Sequence, residues 1–87
     1  MPDTERLWLA RREYGDESLV ELVYASPDGS RRLIKNLSAH LLRSTTVTAA
    51  IDADPEAAEP VGSEALRREY AAEVDRLRET HDPDDPV

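Results

Sequence analysis

The sequence predicts an α+β domain: a small antiparallel sheet of three to four strands packed by one C-terminal amphipathic helix. Three observations predict it. Apolar and β-branched runs separated by turn signals fill the first half, a helical stripe follows Ser63, and 87 residues leave room for one domain with a modest core.

Residues 6–14, Arg-Leu-Trp-Leu-Ala-Arg-Arg-Glu-Tyr, favour a strand through their aromatic and apolar content. Gly15-Asp16-Glu17-Ser18 is a turn signal. Leu19 to Ala25 is the clearest strand of the chain, and Ser26-Pro27-Asp28-Gly29-Ser30 closes it with a tight turn. There Pro27 presets φ and Gly29 accepts a positive one. Arg31 to Leu37 returns as the second arm of that hairpin. Ser38 to Ser44 reads either as one or two capped helical turns or as a loop, being too short to decide. Thr45 to Asp52 is β-branched, with Val47, Ala49 and Ile51 alternating as in a half-buried fourth strand.

Residues 54–62, with two prolines and a surplus of acids, read as a linker. The helix is expected over about 64–80. Ser63 is its N-cap, Glu64 suits the positive end of the dipole, and Arg76 and Arg78 come late. Leu66, Tyr70, Val74 and Leu77 fall on one stripe. The domain is therefore expected to span residues 1–80, with the sheet over about 6–53. Residues 81–87, His-Asp-Pro-Asp-Asp-Pro-Val, are expected to form a flexible acidic tail.

The first two strands carry apolar side chains on both faces. Leu7 and Leu9 oppose Trp8 and Tyr14, while Leu19 and Val23 oppose Val20, Leu22 and Tyr24. One helix covers one face, and a strand buried on both sides loses clean alternation. Either the sheet curls into a partial barrel, or the second face meets another chain. The preferred reading is the latter, a homodimer or partner contact through Leu7, Trp8, Leu9, Leu19 and Val23.

The chain carries 19 acidic and 11 basic residues, a formal charge of −8, with ten arginines, one lysine and no cysteine. The absence of cysteine excludes disulfides, thiolate metal sites and a cysteine nucleophile. Excess carboxylate keeps a protein soluble but destabilises its compact state by repulsion. Molar salt screens that repulsion over about 3 Å. The composition thus reads as adaptation to a salty cytoplasm, with a high-G+C origin at ordinary salinity as the alternative. No signal peptide or membrane span is expected, and the expected location is cytoplasmic.

The charge is unevenly placed. Residues 1–44 balance seven bases against seven acids, whereas residues 45–87 hold four bases and twelve acids. Gly29 to Ile51 contains no carboxylate over 23 residues, yet holds Arg31, Arg32, Lys35, Arg43 and His40. One reading is a surface for an anion such as an RNA backbone or a phosphorylated ligand. The other is that these arginines pair internally with carboxylates of the helix or with the acidic tail. No aromatic stacking platform lies in the stretch, so nucleic acid is not favoured. The tail could also lie across the basic patch and compete with a ligand there.

Other chemistries find little footing. His40 and His81 are the only histidines, and no metal-ligand spacing accompanies them. Asp52-Ala53-Asp54-Pro55-Glu56 begins like a calcium loop but has Ala57 where that loop needs glycine. No Gly-x-Ser-x-Gly elbow or phosphate-binding glycine loop is present. Glu69 and Glu73, one helical turn apart, read as surface charges beside Arg68 and Arg76. No cofactor, metal site or catalytic residue is expected.

Arg6-Leu7-Trp8-Leu9, the hairpin Tyr24-Ala25-Ser26-Pro27-Asp28-Gly29, Thr45-Thr46-Val47-Thr48-Ala49-Ala50 and the ending His81-Asp82-Pro83-Asp84-Asp85-Pro86 resemble the small, acidic, uncharacterised proteins of haloarchaea. The resemblance implies a cytoplasm rich in KCl and assigns no activity and no site residues. The expected function is a small non-enzymatic binding module, homodimeric or a subunit of a larger assembly. An anion-binding regulator using the stretch 31–43 is the alternative, and an enzyme subunit completed by a partner chain is a third reading.

Overall fold

The computed structural model describes residues 4–15 and 19–87, with the side chains of all of these except 39, 42 and 43. The elements are β1 (Glu5–Tyr14), β2 (Leu19–Ala25), β3 (Arg31–Ser38), α1 (Ala39–Ser44), β4 (Ala50–Ala53), β5 (Glu59–Pro60) and α2 (Glu64–Thr80). A 3-10 turn covers Pro55–Ala57. The strands form one antiparallel sheet in the order β4-β1-β2-β3-β5. The domain is α+β, with one strand more than expected: the supposed linker lends Glu59 and Pro60 to the edge of β3. Of the turn expected at 15–18, residues 16–18 lie outside the described residues.

Helix α2 forms as its sequence dictates. The Ser63 hydroxyl accepts from the Leu66 amide at 3.2 Å, and Tyr70 and Val74 are buried, with Leu66 and Leu77 partly so. Full burial of such a side chain contributes about 1.5–3 kcal/mol. The stripe packs on Trp8, Val23, Ala25, Ala49, Ala50 and Val61. The Ser26–Ser30 turn sits directly beneath the helix. Gly29 has φ of 74°, and a Cβ there would lie 2.0 Å from the Arg67 carbonyl oxygen. Glycine is required twice over, by conformation and by space.

Ser38 to Ser44 resolves as helix. The Ser38 side chain accepts from the Leu41 amide at 3.1 Å, supplying the cap that a six-residue helix needs.

The opposite face of the sheet forms a second core of Leu7, Val20, Leu22, Tyr24, Val47, Ala53 and Ala58, with Leu9, Leu33, Leu37 and Ile51 partly buried against it. The chain crosses between the two sides of the sheet twice. Residues 39–49 lead from β3 to β4, placing α1 against β2 and β3 and Val47 in this core. Residues 54–58 then return from β4 to β5 and bury Ala58.

This return forces curvature. In a flat sheet, β4 and β5 would lie four strand spacings apart, about 19 Å. The six links from Ala53 to Glu59, three of them in a 3-10 turn, reach only about 17 Å. The sheet therefore curls, and Arg31 on β3 comes within 3.6 Å of the Glu5 carboxylate on β1. Of the two explanations for apolar residues on both faces, the curl with its covering crossings accounts for the burial inside one chain.

The segment 81–87 is a correction to the sequence reading. Asp85 and Pro83 carbonyls accept from the Ala49 and Ala50 amides at 2.8 and 3.0 Å, and the Val87 amide donates to the Val47 carbonyl at 2.9 Å. Thr48 and Pro86 form an antiparallel bridge. Extended, proline-containing chain cannot build its own ladder, but it can dock on an edge that offers donors. The Asp82–Asp85 turn, closed by the Asp85 amide on the Asp82 carbonyl at 3.0 Å, starts this docking.

Candidate interaction surface

The two residue sets singled out by sequence separate in the fold. Leu7 is fully buried, Val23 is 2% exposed and Trp8 is 7% exposed, each inside the protomer's own core. As partner contacts these three are corrected: the helix and the crossings already cover them. Trp8 also lies under the Arg78 guanidinium, 5.8 Å from the ring centre. Leu9 is half-buried, whereas Leu19 is 53% exposed and remains available.

Leu19 has apolar company. Tyr14 and Leu41 are also exposed, and they share its end of the sheet. Tyr14 pairs with Val20, Leu19 pairs with Ser38, and α1 follows Ser38 directly. Tyr14 faces the side of Leu7 and Leu9 because the register shifts between Leu9 and Arg11. Such a bulge puts one extra residue in β1 and turns the following side chains over.

The basic residues divide as well. Arg31 donates to the carbonyls of Pro55 and Ala58 and approaches Glu5, so it clamps the return crossing. Arg32, on the helix side, bonds Glu59 at 3.1 Å and the Tyr70 hydroxyl at 3.0 Å. These two partners hold its guanidinium basicity above the ordinary value. Both arginines pair internally, but with Glu5, Glu59, the Tyr70 hydroxyl and main-chain carbonyls rather than with the helix carboxylates or acidic tail that the sequence suggests. Lys35 lies on the other face, with its ammonium 6.0 Å from the Tyr24 ring centre. The side chain of Arg43 lies outside the described residues.

Arg12 escaped the sequence reading. It occupies one row with Leu22 and Lys35, its Nη2 donates to the Val87 main-chain oxygen at 3.1 Å, and its Nε is buried without a partner among the described residues. Burial pushes the Tyr24 phenol up, and the Arg12 charge partly offsets this. The acidic tail thus touches β1 through Arg12.

Two shallow clefts run between β1 and α2. One, of about 310 Å³, is lined by Ala10, Arg11, Glu69, Tyr70 and Glu73. The other, of about 250 Å³, is lined by Leu9, Glu73, Arg76, Leu77, Thr80 and His81. Glu73 is held by Arg76 at 2.9 Å, so the shared wall is an ion-paired seam. No helix among the described residues is long and apolar enough to cross a membrane.

The main chain supplies one more surface. The Ser26 amide donates to the Arg31 carbonyl, and the Val61 amide donates to the Ser30 carbonyl. By strand alternation, Arg32, Ile34, Asn36 and Ser38 direct their N–H and C=O groups away from β2. Strand β5 covers only Arg31 and Arg32. From Leu33 to Ser38 the outer edge of β3 has no strand partner among the described residues.

A model of a family of unknown function, DUF7967, matches residues 1–87. The chain belongs to DUF7967. No curated protein and no solved structure matches this DUF7967 member. The family match spans the sheet, both crossings, α2 and the docked tail, so all of these belong to one family unit.

Proposed function

We propose that this DUF7967 member is a small non-enzymatic interaction module of a salt-adapted cytoplasm, working as a homodimer or as a subunit of a larger assembly. The observation that carries the reading is the end of the sheet, where Tyr14 is 72% exposed, Leu19 53% and Leu41 51%. Three large apolar side chains left exposed at one end of a small sheet, on both of its faces, support contact with another protein. The adjoining open edge of β3 offers main-chain donors and acceptors to the same partner.

Anion binding draws less support, because Arg31 and Arg32 already hold the crossing, β5 and Tyr70 together. Salt adaptation is supported by the exposed carboxylates of α2, among them Glu64, Glu69, Asp75 and Glu79. Their repulsion is screened in molar salt.

Light scattering in molar KCl over a concentration series, with capture of partners from native lysate, tests the reading. The expected result is a mass above one chain, alone or with a partner. A strict monomer that captures nothing contradicts it. A thermal melt tests the salt component: stability rises from dilute to molar KCl, and a flat or falling profile contradicts adaptation.

A further inference from the structure

We infer that the outer edge of β3 is a homodimer interface, on which a second copy of this chain adds its own β3 antiparallel about a twofold axis at Asn36. The inference rests on the interaction reading and gives it a partner and a register.

Three features of the edge support a second copy. First, two chains of charge −8 can approach here without opposing carboxylates, since Gly29 to Ile51 contains none. The second half of β1, which β4 leaves uncovered, carries Glu13 and the register shift after Leu9, features that discourage pairing. Second, the edge from Leu33 to Ser38 has no proline and no register shift against β2. Its lysine does not guard it. Lys35 leans inward over the Tyr24 ring of the neighbouring strand, at 6.0 Å, away from the outer edge.

Third, the register is self-complementary. With Asn36 opposite Asn36 of the other copy, Ile34 faces Ser38 and Lys35 faces Leu37. No like charges stand directly opposite, and an apolar side chain meets the lysine stem on each side. The outward groups of Ile34, Asn36 and Ser38 then make about four main-chain hydrogen bonds, since the Ser38 carbonyl belongs to α1. Pairing also ends where it must. The incoming strand turns into α1 after Ser38, just before the position beside Arg32 that β5 occupies. An isologous contact of this kind closes at two copies and leaves the edge used up.

Light scattering of the full chain and of N36P, N36D and L19S tests the interface. The Asn36 amide points outward, so proline at this edge position removes a dimer bond while sparing the β2–β3 ladder. The aspartate sets two carboxylates face to face and keeps the strand's backbone chemistry unchanged. The expected result is a dimer for the parent and L19S, with dimerisation weakened roughly tenfold or more in N36P. N36D weakens it similarly, and more in dilute than in molar KCl. Parent-like dimerisation of N36D, or of a folded N36P, overturns the β3 interface; if L19S is then monomeric, the interaction reading stands with its contact at the sheet end. A parent that stays monomeric at millimolar concentration overturns the interface too, and lysate capture then decides the broader reading separately.

Discussion

Gly29 lies against the backbone of Arg67 so closely that a Cβ on the glycine would stand 2.0 Å from the Arg67 carbonyl oxygen. This contact joins the β2–β3 turn to the first turns of α2, and so fixes how the helix crosses the sheet. A G29A variant must move the helix or distort the turn, and it also strains a φ of 74°. The expected loss is roughly 2–4 kcal/mol in urea unfolding. G62A is the control: nothing lies within 4 Å of its Cβ position, and its stability should stay within about 0.5 kcal/mol of the parent.

Arg32 and Tyr70 form the second link between the sheet and α2, with Tyr70 2% exposed and its hydroxyl bonded at 3.0 Å. Replacing Arg32 by methionine leaves the buried hydroxyl without its donor, at a cost of about 1–3 kcal/mol. Y70F removes the need for the donor and costs about 1 kcal/mol. The double variant should cost clearly less than the two single changes together. Additivity in a double-mutant cycle would show that the pair does not couple.

Asp28 organises the turn itself. Its carboxylate accepts from the Ser30 hydroxyl at 2.7 Å, the Ser30 amide at 3.0 Å and the Ser26 hydroxyl at 2.8 Å. These bonds hold its pKa at about 2 against an ordinary 3.8. Because the folded value is depressed, the stabilisation is full above the ordinary value and is lost as pH falls from about 4 through about 2. D28N should flatten the melting-temperature profile across that window. An unchanged acid slope would contradict the role given to Asp28.

The docked C-terminal segment yields a prediction that a solvated tail would not. Deleting residues 82–87 removes the bonds to Val47, Ala49 and Ala50 and the Arg12 contact. In molar KCl, where the lost carboxylates matter least, the expected destabilisation is about 1–3 kcal/mol. The Ala49 and Ala50 amides should exchange faster with solvent in the truncated chain. Unchanged stability and exchange would mean that the segment contributes nothing to the fold.

Local physics made much of this fold legible in the sequence. The 3.6-residue stripe and serine cap of α2, the Pro27–Gly29 turn and the run from Leu19 to Ala25 each specify their own element. What sequence left open depends on long-range geometry. Two residues such as Glu59 and Pro60 carry no periodicity, so β5 is visible only through its register with Arg31 and Arg32. Apolar residues on both faces of β1 and β2 were readable, but their cover was not. The short link from Ala53 to Glu59 that curls the sheet has meaning only once the strand order is known.

The same limit applied to the candidate surface. Leu19 is exposed, whereas Leu7, Trp8 and Val23 share its chemistry and lie in the core. Composition cannot tell an apolar residue that awaits a partner from one that a crossing covers. The carboxylate-free run from Gly29 to Ile51 was legible as an anomaly of charge. Its connection with an open strand edge needed the sheet order, because backbone donors leave no trace in residue type.

Residue-resolved amide exchange over a protein concentration series tests the proposed β3 interface most directly. With a β3–β3 interface, the Asn36 and Ser38 amides gain protection as concentration rises, while the inward-facing Leu33, Lys35 and Leu37 amides, already bonded to β2, stay protected throughout. Self-association that leaves Asn36 and Ser38 exchanging freely, and slows amides elsewhere, would contradict it.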